Sequence, residues 1–95
     1  MLIEFIMINP KRDDQIETTL LPDGHVVLVP KQSDWAHTLS PLGALVWEFC
    51  DGTNSVNEIV ALVRTIPGIG ERHSLEEEIT ALIAEFREDG FLSDQ

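Results

Sequence analysis

Ninety-five residues amount to one domain's worth of chain. Seventeen acidic residues against six basic ones leave a net charge of −11. That balance rules against general nucleic-acid binding and against adhesion to an anionic membrane, because both draw their affinity from cationic side chains. Yet 43% of the chain is hydrophobic and only 24% charged, the composition of a folded acidic domain and not of a disordered tail.

A single cysteine, Cys50, excludes an intramolecular disulfide, so the core or a partner must stabilise the fold. No apolar run reaches the roughly 18 residues of a membrane-spanning helix. Residues 2–8 are apolar, but they lack a basic flank and a small-residue cleavage site, so they are not read as a signal peptide. The expected location is cytoplasmic.

In residues 15–21, Ile16, Thr18 and Leu20 alternate with Glu17 and Thr19, the period of a half-buried strand. Pro22, Asp23 and Gly24 supply turn chemistry. Val26, Val27, Leu28 and Val29 follow and are closed by Pro30, completing a β-hairpin. After a polar loop, residues 35–39 form a third, shorter candidate strand.

Three helices come next. Ser40 and Pro41 give an N-cap and a proline at the first helical position. Leu42, Leu45, Val46 and Phe49 then fall on one stripe, stopped at Asp51-Gly52. Ser55 and Glu58 have capping-box spacing ahead of the stripe Val56, Ile59, Val60 and Val63. Ser74 and Glu77 have the same spacing ahead of Leu75, Ile79, Leu82, Ile83 and Phe86, which run to Gly90. Glu76, Glu77 and Glu78 sit in that helix's first turn, where the dipole favours them. Phe91 and Leu92 form an apolar exit that can pack back on the core.

The order β-β-β-α-α-α predicts an α+β fold of the winged-helix kind, a three-stranded antiparallel sheet followed by three helices. The whole chain, residues 1–95, reads as one domain: an N-terminal extension (1–14), a sheet (15–39) and a three-helix part (40–92). A sheet this small must leave strand edges, and such an edge is either blunted or used for docking.

The residues give little sign of catalysis. His25, His37 and His73 have no metal-ligand spacing, and Cys50 lacks a CxxC or CxH partner. Cys50 also falls at a helix C-terminus, where the dipole opposes thiolate formation, so it reads as a small core hydrophobe. Gly68-Ile69-Gly70 is not a phosphate loop, because no GxGxxG or GxxxxGK[ST] context surrounds it. Ser74 superficially resembles the modified serine of an acyl carrier protein, but His73 precedes it and only one helix follows. No metal, cofactor or catalytic constellation is expected.

The stretch from residue 26 to 92 resembles the PqqD family of pyrroloquinoline-quinone biosynthesis, and more broadly the recognition elements of ribosomally made, modified peptides. The resemblance is carried by Val27-Leu28-Val29-Pro30, Leu39-Ser40-Pro41-Leu42-Gly43, Val46-Trp47-Glu48-Phe49-Cys50-Asp51-Gly52, Ser55-Val56 with Glu58-Ile59-Val60, and Asp89-Gly90-Phe91-Leu92. It implies a non-catalytic peptide chaperone. Such a protein binds the leader of a precursor peptide as a strand added to the third strand, and presents it to a modifying enzyme, a radical-SAM enzyme in the quinone pathway. The residues implied are Trp35, Ala36, His37, Thr38 and Leu39 on the edge, with Ile79, Leu82, Ile83 and Phe86 as the wall.

Residues 2–8 have no counterpart in the family; they could add a strand or exchange into a homodimer. Two other functions fit the element order, a winged-helix transcription regulator and a general interaction or dimerisation module. The regulator requires a basic recognition helix. The second helix offers only Arg64 and the third only Arg87, against several acids.

Overall fold

The computed structural model describes residues 9–31 and 34–93. Residues 2–8, and with them the expectation of an added strand or exchanged segment, lie outside the described residues. Strands β1 (Ile16–Leu20), β2 (Val26–Pro30) and β3 (His37–Leu39) precede helices α1 (Pro41–Phe49), α2 (Val56–Arg64) and α3 (Leu75–Glu88). The sheet is antiparallel in the order β1-β2-β3.

Register explains which side chains enter the core. Thr18 pairs with Leu28, Leu20 with Val26, and on the other side Leu28 with His37 and Val26 with Leu39. Cross-strand partners share a face. Ile16, Thr18, Leu20, Val26, Leu28, His37 and Leu39 therefore all point toward the helices. Leu28 at the centre of this face is fully buried, together with Val46, Ile59, Val63, Leu75 and Ile79. Each such side chain contributes about 1.5–3 kcal/mol by leaving water.

Trp47 joins the two layers. It is 1% exposed, meets Phe86 edge-on at 5.3 Å, and its Nε1–H donates to Thr18 Oγ1 at 3.0 Å. The one buried indole donor is thus satisfied from β1. Cys50 is buried, as its place after Phe49 predicts.

Two of the three predicted N-caps form. Ser40 Oγ accepts from the Gly43 N–H at 3.2 Å, and Ser55 and Glu58 complete a reciprocal capping box. The third does not. Ser74 makes no side-chain cap, and its hydroxyl donates instead to Glu78 Oε2 at 3.1 Å, while Arg72 binds Glu78 Oε1 at 2.8 Å. The Ser74 hydroxyl is thus spent on Glu78, which Arg72 also holds, and the box with Glu77 does not form.

The third strand is shorter than residues 35–39. Continuing its register would place Trp35 opposite Pro30, and proline has no N–H to complete the pair. Trp35 and Ala36 lead into the strand without belonging to it.

α3 ends in a Schellman turn. Gly90 adopts φ 77°, its N–H donates to Arg87 O at 3.2 Å, and the Phe91 N–H reaches back to Phe86 O at 2.8 Å. This reversal returns Phe91 to the core, 1% exposed. Before α3, the loop of residues 65–74 folds tightly, and a Cβ at Gly70 would strike the Arg64 carbonyl. Both Gly70 and the Gly68 that precedes it belong to loop construction and not to a phosphate site.

Residues 10–13 are held against the domain. Gly52 N–H donates to Pro10 O, Arg12 N–H to Cys50 O, Asp13 N–H to Phe91 O and Ser93 N–H to Lys11 O, all within 3.0 Å. Arg12 Nη1 also donates to Trp47 O and Glu48 O at 2.8 and 2.6 Å, placing a cation at the negative end of α1.

Candidate peptide-binding site

The alternation of hydrogen bonds decides what each edge of the sheet offers. Lys31 N–H donates to Gln15 O and Leu21 N–H to His25 O, both at 2.8 Å. These pairs set the phase of the β1–β2 ladder: Val27 and Val29 bond toward β1. Val26 and Leu28 must then bond toward β3, where they face Leu39 and His37. His37 and Leu39 spend their main-chain groups on β2. Ala36 and Thr38 turn theirs outward, and among the described residues no strand covers that edge.

Side chains alternate the same way. Trp35, His37 and Leu39 share the helix-facing side, while Ala36 and Thr38 share the outer one. The helix-facing side begins with an aromatic shelf. Phe91, turned inward by Gly90, meets the His37 ring edge-on at 5.4 Å and the Trp35 ring at 6.0 Å. Trp35 is 52% exposed even so, presenting a large apolar surface where the free edge begins. His37 is half-buried, Thr38 and Ala36 are exposed, and Leu39 is buried.

On α3 the expected wall residues divide. Ile79, Ile83 and Phe86 are buried in the core, and only Leu82, at the margin of the stripe, is half-buried. The exposed surface of α3 is lined instead by Glu76, Glu77, Thr80, Ala81 and Ala84, along a shallow groove of about 540 Å³. Sequence reasoning missed Phe91 as the floor of the shelf. A glycine helix stop followed directly by an aromatic residue is the signal for Phe91.

Among the described residues no group of three or more His, Cys, Asp or Glu is placed to hold a metal ion. No helix among them is long and apolar enough to cross a membrane. Among the described residues, the carboxyls of Asp23 and Asp51 are held below the ordinary carboxylate range. Asp23 is lowered by the His25 backbone N–H, and Asp51 by the Thr53 hydroxyl at 2.6 Å and its N–H at 2.9 Å. Both are exposed turn groups whose role is local.

An edge strand beside an aromatic shelf, on three strands followed by three helices, is the architecture of a peptide-recognition domain. The family model described as "Coenzyme PQQ synthesis protein D (PqqD)" matches residues 24–92, most of the chain, and the chain belongs to that family. Among solved structures, TbiB1 in complex with the TbiA(beta) leader peptide is similar, with a TM-score of 0.72 and 19% identity. That match covers 90% of this chain and 96% of the other. The heterocyclase TruD is similar with a TM-score of 0.63 and 20% identity, over 90% of this chain and 11% of the heterocyclase. At these identities the likeness is one of fold. No curated protein matches the chain by sequence.

Proposed function

We propose that this protein binds the leader segment of a ribosomally made precursor peptide by strand addition to β3 and presents it to a peptide-modifying enzyme, without itself carrying out chemistry. The outward main-chain groups of Ala36 and Thr38 beside the Trp35–His37–Phe91 shelf carry the reading. Membership of the PqqD family and the leader-bound state of the similar TbiB1 support it. So does the similarity to part of the heterocyclase TruD, for the partnership with an enzyme.

In this mechanism the leader is held by main-chain hydrogen bonds to Ala36 and Thr38, and side chains at alternate positions give specificity. Leader residues that point toward the helices meet Trp35, His37 and the exposed margin of α3 at Leu82. Residues that point outward lie beside Ala36 and Thr38. The buried Leu39, Ile79, Ile83 and Phe86 act by fixing the positions of β3 and α3. Presentation to a radical-SAM enzyme, in pyrroloquinoline-quinone synthesis or a related pathway, is the finer form of this proposal.

Charge sharpens the partner. The exposed side of α3 bears Glu76, Glu77, Glu85 and Glu88. This surface favours a leader with lysine or arginine beside its apolar positions and opposes duplex DNA. Titration of the full chain with the leader encoded beside its gene tests the reading. The expected Kd is roughly micromolar or weaker, rising with salt. Absence of binding at millimolar leader in low salt contradicts it.

A further inference from the structure

The opposite edge of the sheet carries an apolar surface that a leader on β3 leaves free. A groove of about 660 Å³ runs between the β1–β2 hairpin and α1, lined chiefly by Leu20, Val26, Pro41, Leu45, Ile66 and Ile69. Leu20 is 73% exposed, although its register partner Val26 is 5% exposed on the same face. The ladder phase that frees Ala36 and Thr38 on β3 also turns the main-chain groups of Thr18 and Leu20 outward from β1.

The charged residue lining the groove is Glu48, on the last turn of α1. Its carboxylate is exposed, and among the described residues no cation pairs with it. Arg12, at the same helix end, directs its guanidinium to main-chain carbonyls.

We infer that this groove docks an apolar segment, flanked by lysine or arginine, from the enzyme that receives the leader. The inference rests on the reading above, because a presenting protein must hold peptide and enzyme at once and β1 is the far edge from β3. Charge selects among occupants. A second copy brings another −11 against the same carboxylate, and residues 2–8 carry Glu4 and no basic residue. An apolar segment bearing cations fits both the trough and its rim.

The test uses the full chain with two probes, the leader peptide and the purified modifying enzyme encoded beside its gene, each titrated separately. Leu20→Asp, on an exposed side chain, is expected to weaken enzyme binding at least tenfold. Glu48→Lys should weaken it several-fold, and both variants should hold leader affinity within twofold. Enzyme binding unchanged in both variants overturns the inference, as does an equal loss of leader binding. So does sedimentation showing a wild-type dimer that Leu20→Asp dissolves. If the wild type binds the enzyme but no leader, the leader-binding reading fails while the groove variants still decide this one.

Discussion

The two edges of the sheet are built from the same ladder yet offer different surfaces. β3 is three residues long, exposes the main-chain groups of Thr38 beside those of Ala36 just ahead of it, and begins at an aromatic shelf tied to the end of α3. β1 is five residues long, exposes those of Thr18 and Leu20, and overhangs an apolar groove against α1. The difference shows that hydrogen-bonding capacity alone does not define a docking strand. What lies beside the edge decides which chain can add to it, and here the neighbours differ in shape, an aromatic shelf on one side and an apolar groove on the other.

Because both edges hang on β2, the largest expected effect is one that removes them together. Leu28 is fully buried between the two, and Leu28→Ala is expected to cost about 2–5 kcal/mol in chemical denaturation. Both binding activities should then fall with the folded fraction.

A more selective break is Thr38→Pro. Its N–H is not used by β2, so the fold should survive with a thermal midpoint within a few degrees of wild type. The proline removes an outward donor and obstructs the incoming strand. Leader affinity, measured by calorimetry, should drop at least tenfold, about 1.4 kcal/mol or more, while β1-side binding is retained.

Trp35→Ala trims the shelf and leaves the main-chain groups in place. About 0.5–1.5 kcal/mol of aromatic contact is at stake, so leader affinity should weaken by roughly two- to twelvefold. The smallest effect distinguishes neither edge. Asp51, at the end of α1, is held below the ordinary carboxylate range by Thr53. The stability it contributes is present above that range and is lost as pH falls below about 4. Asp51→Asn should flatten this acid limb of the pH–stability curve without changing leader binding at neutral pH.

Much of this architecture is legible in the chain itself. Ser40, Ser55, Gly52 and Gly90 mark helix ends by local chemistry, and the apolar stripes between them set the helix faces. The hairpin is legible from alternation around Pro22-Asp23-Gly24. What escapes is settled by tertiary pairing. Ser74 and Glu77 have capping-box spacing, but Arg72 engages Glu78. Trp35 opens the candidate third strand, but continuing the register would set it opposite Pro30, and the strand begins at His37. The candidate site is legible as an edge near α3, since strand order follows chain order. Its composition is not, because a periodic stripe cannot say which members are sealed. Ile79, Ile83 and Phe86 are sealed, Leu82 is not, and Phe91 arrives by way of a turn.

Amide hydrogen exchange, read residue by residue with and without saturating leader, tests the central claim most directly. Strand addition to β3 predicts that the exposed amides of Ala36 and Thr38 gain protection, that those of His37 and Leu39 are already protected by β2, and that Thr18 and Leu20 do not change. Protection gained at Thr18 and Leu20 with none at Ala36 and Thr38 would place the leader on the other edge and contradict the account.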